Sequence, residues 1–160
     1  MQSKLLSDEA DERTFILILD DGEEAFAAIS RFAELQSIDG ASISAIGAFS
    51  SAVVGFFDFK TKTYRKIPIE EQCEVLSTLG DLARGDDGKP SLHLHVVLGL
   101  SDGNTRGGHF IEGFVHPTLE IIIRENPVGL RRKRRPDLGI ALIDLDLEAD
   151  PPPPIVPFSR

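Results

Sequence analysis

Residues 91–120, SLHLHVVLGLSDGNTRGGHFIEGFVHPTLE, restrict the fold more than any other stretch, because they read as two strands joined by a glycine-rich connection. Leu92 to Leu100 mixes β-branched and apolar residues, and Ser101-Asp102-Gly103 is a turn signal. Side chains alternate along a strand, so His93 and His95 share one face, with Cα atoms roughly 6.6–6.8 Å apart. Leu92, Leu94 and Val96 then share the other face. The window holds all four histidines of the chain, His93, His95, His109 and His116.

Two imidazoles on one strand face, with a third arriving after Gly107-Gly108, is a way for a sheet to assemble a three-nitrogen metal site. Zinc in catalytic sites commonly takes three protein ligands and keeps a fourth position open. The plainer reading of His-x-His is two hydrogen-bonded histidines on a half-solvated face, and the motif alone does not separate the two. Zinc is the expected ion for such a set. Its open position is what lets zinc activate water near neutral pH, so metal-dependent hydrolysis is compatible with the site, although no reaction is assignable. Glu112 lies three residues from His109, on the opposite face of a regular strand, and is not assigned as a base.

Hairpin arithmetic decides whether His109 can join. If the loop spans Ser101 to Gly107, His109 lies opposite Gly99 and roughly 13 Å from His95, which is too far. A tight turn at Asp102-Gly103, with bulging through Asn104 to Gly108, brings His109 beside His95. Alternatively, His109 meets the His93 and His95 of a neighbouring subunit. The first geometry is favoured, because Gly107-Gly108 tolerates backbone conformations that other residues resist.

The remaining chain reads as one domain with a mostly antiparallel sheet and one main helix, the α+β class. Residues 1–12 are polar and acidic, a loose lead-in. Thr14 to Leu19 is a buried strand. Asp21 is a candidate cap for a helix from about Glu23 to Gln36, whose Phe26, Ile29, Phe32, Ala33 and Gln36 keep helical spacing. Residues 41–59 are extended in two pieces, with Gly47 marking a bulge or close backbone approach. Tyr64 to Ile69, Cys73 to Ala83 (interrupted at Gly80), and Thr118 to Arg124 are further strands. An edge strand is expected within 138–147, and 148–160, with four consecutive prolines, is an extended tail.

The 160 residues carry a formal charge of −9. Arg131, Arg132, Lys133, Arg134 and Arg135 are consecutive; without them 12 basic residues face 26 acidic ones. Such a surface repels nucleic acid over most of its area, so this run is the sole candidate DNA footprint, and a solvated turn explains it equally well. The single cysteine, Cys73, excludes a disulfide framework and fits a reducing compartment. The N-terminus lacks signal-peptide character, and no stretch reaches the ~20 apolar residues of a membrane helix, so a cytoplasmic location with no membrane partner is expected. GNTRGG at 103–108 lacks a P-loop lysine and a following helix, and the serines after Gly47 form no nucleophile elbow.

Five segments resemble the plant-and-prokaryote conserved (PPC) domain: FILILDDGEEAFAAISRFAE (15–34), ASISAIGAFSSAVVGFFDF (41–59), EVLSTLGDLA (74–83), DGKPSLHLHVVLG (87–99) and GGHFIEGFVHPTLEIIIRE (107–125). They occur in the family's order and cover most of 13–145, within a domain read as 13–147. The resemblance implies a homotrimer of α+β domains. In plants this domain accompanies AT-hook segments of nuclear proteins; bacterial and archaeal members are usually the lone domain, often labelled DNA-binding, and some bind metal. The family's histidines fall on His93, His95 and His109, while His116 matches less clearly and stays outside the set. The chain has no AT-hook, which weakens transfer of the DNA-binding role, so DNA is expected to bind weakly.

Overall fold

A computed structural model describes residues 1–9 and 12–146 of the protein. Nine strands and one helix follow in the order β1 (Gln2–Glu9), β2 (Glu12–Leu19), α1 (Ala25–Leu35), β3 (Gly40–Asp58), β4 (Thr63–Ile69), β5 (Cys73–Arg84), β6 (Pro90–Gly99), β7 (Thr105–Glu125), β8 (Arg132–Arg135) and β9 (Ile140–Ile143). The fold is α+β, a mostly antiparallel sheet with one helix, in a single compact domain. The main sheet runs β1-β2-β7-β6-β5-β3-β4, and β3 also pairs with β7. Strands β3, β5, β6 and β7 therefore hydrogen-bond in a closed circuit, and the histidine-bearing strands belong to it.

Alternation accounts for the core. Phe15, Leu17 and Leu19 of β2, Leu92, Leu94, Val96 and Leu98 of β6, and Leu119, Ile121 and Ile123 of β7 all point inward. Helix α1 lays Ala25, Ala28, Ile29, Phe32 and Ala33 on that layer, and Phe32 meets Phe15 edge-on with ring centroids 5.3 Å apart. Its cap is Glu24 rather than Asp21. The Glu24 carboxylate accepts from the amides of Phe26 at 3.0 Å and Ala27 at 2.7 Å. It also accepts from the Gly113 amide, tying the helix start to β7. The Glu24 carboxylate, one methylene farther from its backbone than an aspartate's, thus serves helix and strand at once.

Other expectations change in physically clear ways. The lead-in expected to be loose forms β1, paired antiparallel with β2 from Gln2↔Ile18 to Glu9↔Glu12. Its polar composition fits an edge strand, which needs one apolar contact face at most. The stretch expected as two pieces is one strand, β3, in which the bulge at Gly47 does occur. A Cβ there would lie 2.3 Å from the Thr118 carbonyl oxygen, and its φ of +151° also favours glycine. Strand β5 runs through Gly80 without a break; the missing side chain admits the His93 carbonyl of β6. The expected edge strand within 138–147 narrows to β9, which pairs with β8 in a separate two-stranded sheet. The proline-rich tail lies outside the described residues.

Candidate metal centre

The hairpin between β6 and β7 is the tight one. Leu100 N–H donates to the Asn104 carbonyl at 2.8 Å, Gly103 N–H donates to the Leu100 carbonyl at 2.9 Å, and Gly103 takes φ +81°. The Asp102 carboxylate accepts from the Asn104 amide at 2.9 Å and from its side chain at 2.8 Å, which holds its carboxyl below the usual range. Pairing then runs without irregularity from Gly99↔Thr105 to His95↔His109. The bulging expected through 104–108 is not needed, because a turn centred on Asp102 already supplies the register.

His93, His95 and His109 thus come together within one chain. The Nε2 atoms of His93 and His95 lie 3.3 Å apart, which matches the roughly 3.3 Å separation that tetrahedral geometry imposes on two nitrogens about 2.05 Å from one zinc. One ring nitrogen from each of the three histidines lies within 4.8 Å of the others, and no carboxylate joins the group among the described residues. Ring centroids are 5.2, 5.4 and 5.6 Å apart.

Electrostatics favours neutral rings at His93 and His109. Burial, reinforced by His93, His95 and Arg132, pushes the His109 imidazolium down to about 4. Burial also lowers His93, with Arg132 adding to the effect and Asp81 opposing it. Neutral imidazole is the ligand form of histidine. His109 Nδ1 is buried with no hydrogen-bond partner, a costly state for a polar atom unless something binds there. The donor set therefore fits a divalent ion of borderline softness.

Three neighbours were invisible in the sequence. Tyr64 stacks on His109, with centroids 4.5 Å apart and planes 22° from parallel. Gly55 makes this possible: it pairs with His109 across β3–β7, and a Cβ on it would lie 2.8 Å from the Tyr64 ring. Asp81 sits directly opposite His93 across β5–β6. Arg132, 5% exposed, donates through Nη2 to the Asp81 carboxylate and through Nη1 to the Ser91 carbonyl at 2.9 Å. Nothing local marked any of the three; in the sequence Tyr64 only opens a strand.

His116 stands apart, its Nδ1 2.8 Å from the Asp21 carboxylate. The basic run is split. Arg131 bridges to Arg84, Arg132 is buried, the Arg134 amide donates to Asp86 at 2.9 Å, and Arg135 pairs with Asp137 at 3.2 Å. Lys133, Arg134 and Arg135 are exposed. No helix of the described residues is long and apolar enough to cross a membrane.

Known proteins share this arrangement of strands. A metal-containing protein from Archaeoglobus fulgidus is 33% identical, with a TM-score of 0.76, over 89% of this chain and 96% of that one. A candidate DNA-binding protein from Bacteroides thetaiotaomicron is 25% identical, with a TM-score of 0.82, over 91% of this chain and 99% of that one. The bifunctional protein GlmU of Synechococcus sp. (strain JA-3-3Ab) is 31% identical over 148 residues, 89% of this chain but 22% of that protein. The chain thus spans about a fifth of the length of the curated relatives it matches. The family model of the Plants and Prokaryotes Conserved (PCC) domain matches residues 6–127, and the chain belongs to that family.

Proposed function

We propose that His93, His95 and His109 hold a divalent metal ion, zinc first among the candidates, in a homotrimer. The observation that carries the metal reading is the convergence of three imidazoles, with ring nitrogens within 4.8 Å, on adjacent strands of one chain. The similarity to a metal-containing protein supports it. A bound ion would supply Lewis acidity, and no reaction is assigned to it. The residues' own part is to present neutral nitrogens from a rigid sheet, with Tyr64 packing one ring in place.

Elemental analysis of purified protein should return about one zinc-like ion per chain, and a His93→Ala, His95→Ala double variant should return none. Metal retained by that variant eliminates the site. Trimer formation rests on the family resemblance. It is supported by apolar side chains on the histidine face, among them Leu79, 62% exposed and paired with His95, and Val97, 44% exposed. Contiguous exposed apolar surface seeks a partner. Light scattering that returned a mass near 17.5 kDa would reject the trimer.

A second reading, a DNA-binding module using the run 131–135, draws on the candidate DNA-binding protein named above. The burial of Arg132 and the pairing of Arg135 leave too small a basic face for tight binding. Nanomolar affinity for duplex DNA at about 0.15 M salt, the range of specific complexes, would restore this reading.

A further inference from the structure

We propose that Asp81 is a positioning residue for the histidine centre, its carboxylate orienting the His93 ring, and that Arg132 in turn holds Asp81. The inference rests on the metal reading above. Asp81 and His93 are direct cross-strand partners, so their Cβ atoms lie about 4.5–5.5 Å apart on the same face. His93 turns its Nε2 toward His95, which leaves its Nδ1 edge for another group. Histidines that ligate metals almost always give their second N–H to a carboxylate, carbonyl or water, and this fixes both tautomer and ring orientation. A proton held on Nδ1 leaves the Nε2 lone pair free for the ion.

The carboxylate is itself immobilised. Arg132 donates to Asp81 Oδ1 and spans to the Ser91 carbonyl two residues before His93. A guanidinium that is 5% exposed has to be paired to remain there. Arg132 comes from β8, so the two-stranded β8–β9 sheet braces the centre through this one side chain. That accounts for a basic residue buried within a run whose last three members are exposed.

The test is a zinc competition titration against a chromophoric chelator, joined to the visible spectrum of the cobalt-loaded protein. Wild type is compared with Asp81→Asn, Asp81→Glu and the double variant Asp81→Asn, Arg132→Met. The double variant removes both charges of the pair, so neither partner is stranded in the interior. Circular dichroism of the metal-free proteins checks that each folds. Zinc affinity should fall about 10–100-fold in Asp81→Asn. The double variant should fall by a similar factor, because Arg132 acts through Asp81, and the cobalt spectrum should shift in both. Asp81→Glu should recover part of the loss. A folded double variant that binds zinc within about twofold of wild type, with an unaltered cobalt spectrum, overturns the inference. Should the double variant fail to fold, unchanged zinc affinity in Asp81→Asn overturns it equally. Wild type that takes up no zinc overturns the metal reading itself, an outcome distinct from equal binding by all variants.

Discussion

The histidines lie on two different strands, and the basic residues are consecutive, yet it is the histidines that converge. Consecutive residues in a strand point to opposite faces, so a run of like charges is divided by the backbone that carries it. In β8 parity gives Arg132 and Arg134 one face and Lys133 and Arg135 the other; only Arg132 turns inward, to Asp81, and the other three are exposed. His93 and His95, at spacing two, share a face by the same rule, and the hairpin register adds His109. Proximity in sequence is a poor guide to a sheet-built site; parity and register are the quantities that matter.

The sharpest way to break this contrast is to remove single ligands. His95→Ala or His109→Ala should cost more zinc affinity than the 10–100-fold typical of residues that only orient a ligand, as read by competition titration. Single variants that keep wild-type affinity would show that the convergence is not a binding site.

Next in size is stability across the basic run. Arg132→Ala should destabilise the fold by about 2–3 kcal/mol, somewhat below a fully buried pair because Asp81 is 31% exposed. Lys133→Ala should stay within about 0.5 kcal/mol. Equal melting shifts for the two would erase the distinction drawn between them.

Acid gives a third handle. His109 titrates at about 4 in the folded protein and near 6.5 when unfolded. As pH falls from 6.5 toward 4 the unfolded chain takes up a proton that the folded chain does not, so this group's contribution makes the metal-free protein less stable; below about 4 the effect ends. Melting temperatures of His109→Leu should therefore decline less over that interval than those of wild type. Parallel pH profiles would remove His109 as the cause.

A smaller effect is expected at Tyr64. Loss of its stack in Tyr64→Leu should weaken zinc binding about 2–10-fold, the equivalent of an aromatic contact, in the same titration. The smallest is the joint change Lys133→Ala, Arg134→Ala, Arg135→Ala, which should leave the zinc stoichiometry unchanged.

Local pattern was enough for several features, because each depends on residues within one turn or one strand. The alternation of Leu92, His93, Leu94, His95 and Val96 alone sets which face carries the imidazoles. Periodicity located α1, and Gly47 announced a close approach that the Thr118 carbonyl makes. One helical period among many strand patterns carried the fold class.

What tertiary structure decided were pairings between distant residues. A shift of the hairpin by a few residues would have left His109 opposite Gly99, and only the Asp102-centred turn selects His95. Tyr64 reaches His109 because β3 lies between their strands and Gly55 has no side chain. Arg132 finds Asp81 across 51 positions. The segment Gln2–Glu9 becomes a strand because β2 offers it a free edge. Composition and periodicity constrain each element's own backbone; which elements meet, and in what register, follows from the burial that the whole sheet achieves at once.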